Sequence, residues 1–210
     1  MYKINEIFLS IQGESISQGY PTVFVRFTGC NLRCSYCDTK YAYYDGTIYN
    51  KDDVIKEINK YGYKRVCITG GEPLLQHNIQ DIIDMLKGYE MSIETNGSID
   101  LSQFKLHKNH RFVMDMKVPS SNCSDKMYFK NFDYLKEEDE IKFVIGDRND
   151  YNWSKEIIKK YYKKGLIIFT PIFDIINIKD IVKWVLDDRL DVRVQVQLQK
   201  FIWGKNERGV

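Results

Sequence analysis

The stretch TVFVRFTGCNLRCSYCDT, residues 22–39, joins an apolar segment to a loop that contains three cysteines. Residues 22–28 are mainly β-branched and aromatic, which is typical of a buried strand. The cysteines that follow, Cys30, Cys34 and Cys37, have the spacing C-x-x-x-C-x-x-C. A strand that leads directly into three clustered thiols indicates a site at the end of that strand.

The composition is that of a folded domain without a strong charge bias. The 210 residues include 31 Lys and Arg against 29 Asp and Glu, which gives no long-range attraction to nucleic acid or to a membrane surface. Residues 1–10 lack the apolar core of a signal peptide, and no apolar run is long enough to span a bilayer. We therefore expect a single cytoplasmic domain, 1–210, in which clustered cysteines hold metal rather than form disulfides.

The three loop cysteines favour an iron–sulfur cluster. A disulfide would leave one thiol unpaired, a structural zinc site normally needs four ligands, and the chain's histidines, His77, His107 and His110, are distant in sequence. Three thiolates suit a 4Fe–4S cluster and leave its fourth iron open to a ligand. A zinc site and unremarkable thiols remain the alternatives. We expect Cys67 to be a buried strand residue, and Cys123 has no assigned role.

Apolar runs alternate with helical patterns along the rest of the chain. Predicted strands cover residues 22–28, 65–69, 91–94, 111–115, 140–145, 166–169 and 192–196. Predicted helices cover residues 52–61, 79–87, 151–162 and 178–186. Strands that alternate with helices indicate an α/β fold with a parallel sheet, either open or rolled toward a barrel.

Polar or glycine-rich segments follow four of these strands. They are the cysteine loop, Gly70-Gly71-Glu72-Pro73, Thr95-Asn96-Gly97 and Met116-Lys117. Parallel α/β folds place their active sites at the carboxyl ends of strands, so we expect the four segments to form one pocket. The paired glycines let backbone groups approach a ligand, although the segment taken alone is compatible with an ordinary strand-to-helix turn.

Together these motifs resemble the radical S-adenosylmethionine (SAM) superfamily, whose cysteine motif carries an aromatic residue before its last cysteine, here Tyr36. Further segments narrow the resemblance. They are IQGES, VRFTGCNLRCSYCDT, TGGEPLLQ, ETNGS and the tail FIWGKNERGV. With these segments the chain is similar to the 7-carboxy-7-deazaguanine synthase family, from about Ile7 to Val210.

The resemblance implies an abbreviated, partly open TIM-like (β/α) barrel of the radical SAM type. It also implies a lyase that converts 6-carboxy-5,6,7,8-tetrahydropterin to 7-carboxy-7-deazaguanine, with ring contraction and loss of ammonia, in the synthesis of queuosine precursors. The radical would arise at the cluster and SAM, so no side chain is predicted to be catalytic. Two alternatives are a radical SAM activase, which should lack the pterin-binding residues, and a non-catalytic metal-binding module.

Residue by residue, the resemblance assigns three kinds of contact. SAM would contact Tyr36, Cys37, Asp38, Gly70, Gly71, Glu72, Gly97, Asp115, Met116 and Lys117. The pterin would contact Ile11, Gln12, Gly13, Glu14, Arg26 and Thr95. Magnesium would bind the hydroxyl of Thr39, which is otherwise a plausible turn cap. Asp115 departs from the family, where serine is frequent at this position. A homodimer and an electron donor such as flavodoxin or ferredoxin are the implied partners.

Overall fold

Nine strands form one sheet in the part of the chain that the computed structural model describes, residues 1–205 and 207–210. The strands are β1 (Tyr2–Ile11), β2 (Pro21–Phe27), β3 (Thr47–Tyr49), β4 (Arg65–Gly70), β5 (Glu90–Thr95), β6 (His110–Met116), β7 (Glu140–Ile145), β8 (Leu166–Pro171) and β9 (Arg193–Val194). Their order is β3-β1-β2-β4-β5-β6-β7-β8-β9. All neighbours from β2 to β9 are parallel, whereas β1 is antiparallel to both β2 and β3. The predicted, mostly parallel sheet is confirmed.

Five α-helices accompany the sheet in the described residues. They are α1 (Lys51–Lys60), α2 (Ile79–Met85), α3 (Arg148–Tyr161), α4 (Ile178–Asp188) and α5 (Leu198–Ile202). The side chains of Asn50, Asp147 and Asn177 accept hydrogen bonds from backbone N–H groups in the first turns of α1, α3 and α4. Such caps satisfy donors that have no partner within the helix, so the local sequence fixes where each helix begins.

The two connections around β6 contain no α-helix. Between β5 and β7 the chain forms only short 3₁₀ turns, at Leu101–Gln103, Pro119–Ser121, Ser124–Lys126 and Phe129–Asp133. A barrel with a helix after every strand typically needs about 250 residues. The absence of helices from these connections, together with the short edge strands β3 and β9, explains how an abbreviated barrel forms from 210 residues.

The loop between β1 and β2, residues 12–20, crosses the amino ends of the parallel strands. The backbone N–H of Ser15 donates to Gln195 at 2.8 Å, and that of Ile16 donates to Glu140 at 3.1 Å. Glu140 belongs to β7 and pairs with Arg111 of β6 at 3.0 Å. A loop that starts at one side of the sheet therefore reaches strands at the other side, which requires the sheet to curl.

The apolar core fills the layer between the sheet and its helices. The largest fully buried side chains include Phe27 of β2, Phe143 of β7, Phe169 of β8 and Tyr151 of α3. Tyr151 and Phe143 each meet Phe169 edge to face. Within the described residues, the helices are all too short or too polar to cross a membrane. Asn206, within the tail used for the family resemblance, lies outside the described residues.

Candidate active site

The cysteine loop and the three other strand-end segments converge on one cavity of about 450 Å³. Cys30, Cys34 and Cys37 all line it, whereas Cys67 and Cys123 are buried and do not line it. The predicted convergence is confirmed, as is the buried position of Cys67 in β4. It follows directly from the parallel order of β2, β4, β5 and β6, whose carboxyl ends lie side by side.

The thiols fit a cluster better than a single metal ion. Among the described residues, no three His, Cys, Asp or Glu side chains converge closely enough to bind one ion. A 4Fe–4S cluster has no such requirement, because each thiolate binds a different iron. Polar donors also surround the sulfur of Cys30: the N–H of Leu32 lies 3.4 Å away and the side-chain amide of Asn96 lies 3.7 Å away. These donors would stabilise a negatively charged sulfur.

The paired glycines pack directly on the cysteine loop. A Cβ at Gly70 would lie 2.2 Å from the carbonyl oxygen of Phe27, and one at Gly71 would lie 2.2 Å from that of Gly29. The backbone N–H of Gly71 donates to Phe27 at 3.1 Å, and that of Glu72 donates to Gly29 at 2.8 Å. Both glycines are therefore needed for a close backbone approach that supports the loop, and both also line the cavity.

Glu72 ties two of the strand-end segments together. Its side chain is fully buried and accepts from the backbone N–H of Leu74 at 3.0 Å and from that of Asn96 at 2.6 Å. The hydroxyl of Thr95 donates to the same carboxylate. Burial raises the pKa of Glu72 to about 7, although these hydrogen bonds oppose the rise.

A chain of buried charges follows the ends of β6 and β7. Lys117 lies 2.8 Å from one carboxylate oxygen of Asp115, and Lys142 lies 3.3 Å from the other. Lys142 also donates to Glu14 at 2.8 Å, and Gln197 donates to the other oxygen of Glu14 at 2.6 Å. Burial raises the pKa of Asp115, but the two ammonium groups outweigh it and hold that pKa below its usual value. Asp115 therefore stays ionised between two lysines.

Arg26 lies in β2 and reaches the cavity from the same strand that leads into the cysteine loop. Its Nε lies 2.6 Å from Glu6 of β1, which also accepts from the hydroxyl of Tyr41 at 3.1 Å. The guanidinium lies 5.8 Å from the ring centres of Phe8 and Tyr41. A guanidinium has five N–H donors, so the bond to Glu6 fixes its plane and leaves other donors for a ligand.

The mouth of the cavity is bordered by Asp38, Thr39 and the C-terminal tail. The Thr39 hydroxyl donates to Asp38 at 3.0 Å, and Lys200 lies 2.9 Å from the other carboxylate oxygen of Asp38. The side chain of Arg208 lies 3.9 Å from the ring centre of Tyr41. Two hard oxygen donors stand side by side here, which suits magnesium in chemical type.

Comparisons with known proteins identify the family. The radical SAM superfamily model matches residues 24–187. A 7-carboxy-7-deazaguanine synthase from Clostridium acetobutylicum is 40% identical over 100% of this chain and 99% of its own length. One from Koribacter versatilis is 36% identical over 99% of this chain and 100% of its own length. The chain belongs to the 7-carboxy-7-deazaguanine synthase family.

A solved structure supports the fold of this synthase family. The crystal structure of QueE from Escherichia coli matches with a TM-score of 0.77 over 94% of each chain, at 24% identity. At that identity the likeness shows the fold alone, and it confirms the predicted radical SAM type of architecture. The chain is therefore a radical SAM lyase by family.

The structure brings most of the predicted contact residues of the synthase to the cavity. All of them line it except Glu72, Gly97 and Met116. Glu72 and Met116 are buried beneath it, and a Cβ at Gly97 would lie 2.7 Å from the carbonyl oxygen of Asp115. Close packing at these positions is therefore an observed property, while their contacts with SAM stay predictions.

Several cavity residues were missed by the sequence reasoning about this synthase. They are Asn96, Thr69, Glu94, Lys142 and Lys200. Asn96 lies inside the Thr95-Asn96-Gly97 segment, which was predicted to contribute to the pocket. Its membership of that segment was the available signal. Thr69, Glu94 and Lys142 lie within strands, and only the register and curl of the sheet bring them together.

Proposed function

We propose that the chain converts 6-carboxy-5,6,7,8-tetrahydropterin to 7-carboxy-7-deazaguanine, with loss of ammonia, in the synthesis of queuosine precursors. Membership of the synthase family over the full chain supports this reaction. The structural observation that carries it is the position of Arg26. The strand that leads into the cysteine loop also presents a fixed guanidinium to the same cavity. A radical-generating centre and an anion-binding group are thereby held side by side.

The cysteine loop would hold the cluster and present its open iron to SAM. A 4Fe–4S cluster bound there supplies the electron that cleaves SAM and starts the radical reaction. Cys30, Cys34 and Cys37 would bind three of its irons. The amide of Asn96 and the N–H of Leu32 donate to the sulfur of Cys30 and would stabilise the negative charge of its thiolate.

Arg26 would bind the carboxylate of the substrate. Its planar guanidinium is permanently charged and able to make two parallel hydrogen bonds to a carboxylate. Glu6 and the two flanking aromatic rings hold that plane still, which reduces the entropy lost on binding. The side-chain nitrogen of Gln12 is buried without a hydrogen-bond partner in the described residues, and a polar ligand would satisfy it.

Thr39 and Asp38 would hold magnesium, with water or substrate oxygens completing its coordination. Bound magnesium would neutralise charge on the substrate carboxylate. Lys200 already pairs with Asp38 from the C-terminal tail, so the ammonium group and the cation would share this carboxylate. Residues of the tail, among them Arg208 and Val210, also line the cavity, where they would limit the access of water to the reacting radical.

A homodimer and an external electron donor complete the proposal. Flavodoxin or ferredoxin is the class of donor that we propose, because a low-potential electron is needed to start the radical reaction. Exposed apolar side chains, among them Ile175 and Leu186 at 70% exposure each, give the chain apolar surface that an interface would cover. Sedimentation of the reconstituted protein tests the dimer.

One assay tests the reaction itself. The anaerobically reconstituted protein is incubated with SAM, a reductant, magnesium and the carboxypterin, and the products are analysed by mass spectrometry. We expect 7-carboxy-7-deazaguanine and 5′-deoxyadenosine, and neither from a Cys34→Ala control. Release of 5′-deoxyadenosine by the wild type with no deazaguanine would instead indicate another radical SAM substrate.

A further inference from the structure

The loop between β1 and β2 has a half that lines the cavity and a half that does not. Gln12, Gly13 and Glu14 line the cavity, whereas Ser15 and Ser17, which follow them, are buried and do not line it. Because the two halves are adjacent in the chain, the contacts that hold the second half also limit where the first half can lie.

A buried ion pair at the amino ends of β6 and β7 holds the second half of the loop. Arg111 and Glu140 are 3.0 Å apart, and their side chains are only 7% and 0% exposed. Glu140 accepts from the backbone N–H of Ile16 at 3.1 Å, and Arg111 donates to the hydroxyl of Ser17. Glu90 lies farther from Arg111, at 3.6 Å, and is 42% exposed. Both members of the buried pair thus bind the loop, and neither lines the cavity.

Ser15 stands at the bend between the two halves. Its backbone φ of 69° lies in the left-handed region, which is uncommon for a residue with a side chain, so surrounding contacts must hold it. The side-chain amide of Gln195 accepts from the N–H of Ser15 at 2.8 Å and donates to its carbonyl oxygen at 3.0 Å. Gln195 is also buried and does not line the cavity. The bend and the second half are therefore both held by polar contacts outside the cavity.

The side chains of the cavity half have partners that a ligand can replace. Lys142 and Gln197 donate to Glu14 at 2.8 Å and 2.6 Å, but both also line the cavity. The side-chain nitrogen of Gln12 is buried without a hydrogen-bond partner in the described residues. The position of these side chains during binding therefore depends on the backbone that carries them.

The second half of the loop supports that backbone directly. The side-chain amide of Gln18 donates to the carbonyl oxygen of Gly13 at 2.7 Å, and the N–H of Leu198 donates to the same oxygen at 2.9 Å. Gln12 is also only four positions from Ile16. A displacement of the anchored half would therefore reach the residues that line the cavity.

Resting on the proposed function, we propose that Arg111 and Glu140 are positioning residues for pterin binding, which act through the loop between β1 and β2. The pair holds the loop in the conformation that presents Gln12 and Glu14 to the substrate. Without the pair the loop must be ordered when the pterin binds, and that loss of entropy weakens binding. The cysteine loop follows the carboxyl end of β2, at the opposite ends of the strands, so the cluster and SAM are not affected.

Glu140→Gln tests this assignment, because glutamine keeps the shape but removes the charge opposite Arg111. We expect the KM for the carboxypterin to rise about tenfold, while kcat changes by less than about twofold. Cleavage of SAM without pterin and the cluster spectrum should stay at wild-type levels, which also shows that the variant is folded. Ser17→Ala is a milder second variant that leaves the ion pair intact, and it should raise the KM about threefold.

Tyr151→Phe is the control for a loss of stability alone. The Tyr151 hydroxyl donates to the carbonyl oxygen of Trp184 and to Asp188, at 2.8 Å each, and Tyr151 does not line the cavity. Its removal should lower the urea midpoint of unfolding but leave the KM for the carboxypterin unchanged. A KM that rises in Glu140→Gln and not in Tyr151→Phe separates positioning from general destabilisation.

Hydrogen exchange of the apoprotein gives a second readout, which needs no substrate. The N–H groups of Ser15 and Ile16 donate to Gln195 and Glu140, so peptides that cover residues 12–18 should exchange at least about tenfold faster in Glu140→Gln. The same peptides should exchange at wild-type rates in Tyr151→Phe.

Three results would overturn the assignment: an unchanged KM in Glu140→Gln and Ser17→Ala, unchanged exchange of residues 12–18 in Glu140→Gln, or a rise in KM accompanied by loss of SAM cleavage without pterin. If Glu140→Gln does not fold, the KM of Ser17→Ala decides. Failure of the proposed function differs from all of these, because the wild type would then yield no deazaguanine while the exchange of the loop would still respond to Glu140→Gln.

Discussion

The hydroxyl of Thr95 donates to both carboxylate oxygens of Glu72, at 3.0 Å each. This contact joins the turn after β4 to the turn after β5, directly beneath the cavity. Glu72 lies in a position with no solvent contact, and its pKa is raised to about 7 by burial. The contact between the two turns therefore depends on a titratable side chain, that of Glu72.

We predict that Glu72 makes the stability of the apoprotein depend on pH. The unfolded carboxyl titrates near 4.5 and the folded one near 7. Between these values the folded state keeps a proton that the unfolded state has released, so the free energy of unfolding falls as pH rises. The change is on the order of 3 kcal/mol.

Urea unfolding of the wild type and Glu72→Gln at about pH 5 and about pH 8 measures this change. The variant lacks the titration and loses one acceptor, so it should be less stable at the lower pH, with a gap that narrows at the higher pH. A gap that is constant, or that widens as pH rises, would show that Glu72 is not the group responsible.

The cluster ligands give the second prediction. Cys34→Ala should lower the iron content of the reconstituted protein and abolish SAM cleavage, because a ligand thiolate is lost. Cys67→Ala removes a buried thiol in β4 that does not line the cavity, and it should retain both iron and activity. Wild-type iron content and SAM cleavage in Cys34→Ala would rule out Cys34 as a ligand.

The convergence of the strand ends was predictable because each relevant strand is a short apolar run. Residues 65–69 and 111–115 were predicted, and the strands span Arg65–Gly70 and His110–Met116. Where such runs alternate with helices, as at α2 between β4 and β5, parallel strands are expected and their carboxyl ends meet. The connections on either side of β6 contain no α-helix, but they are long enough for the same parallel crossover. The motifs that follow these strands are then predicted to lie close together, even if the curvature of the sheet is unknown.

Strand β1 was not predicted, and its structure gives the reason. The strand pairs with β2 and β3 on opposite edges, most of its residues are only half-buried, and its register with β2 shifts between Ile4 and Glu6. The shift interrupts the alternation of apolar and polar residues that identifies a strand in sequence. The sequence of β1 therefore has no regular alternation of apolar and polar residues from which the strand could be predicted.

The contact between Lys142 and Glu14 could not be predicted either. Lys142 and Glu14 are separated by 128 positions and meet only because the β1–β2 loop crosses the curled sheet. Which side chains of β5 and β7 face the cavity depends on register, and a shift of one residue would reverse the choice.

The third prediction concerns Arg26. Arg26→Lys keeps the charge but loses the planar fork, so the substrate carboxylate would be held by a point contact. Pterin binding should weaken by about ten- to a hundredfold, while SAM cleavage without pterin persists. The control is Arg65→Lys, because Arg65 pairs with Glu90 and lies outside the cavity. Loss of uncoupled SAM cleavage with unchanged pterin affinity would make Arg26 a structural support of the loop.

The fourth prediction concerns magnesium. Thr39→Ala should weaken the dependence of the rate on magnesium, because it removes one of two adjacent oxygen donors. The cluster spectrum should not change. Thr47→Ala is the control, since Thr47 lies in the exposed edge strand β3. A magnesium titration of Thr39→Ala that coincides with the wild type would exclude Thr39 from the metal site.

The central claim is that this cavity directs a SAM-derived radical at the carbon bearing the carboxylate of the pterin. The most direct measurement uses carboxypterin deuterated at C6 and follows the mass of the 5′-deoxyadenosine formed during turnover. Our account predicts 5′-deoxyadenosine that is one mass unit heavier, together with unlabelled 7-carboxy-7-deazaguanine. Unlabelled 5′-deoxyadenosine, formed while 7-carboxy-7-deazaguanine accumulates, would contradict it.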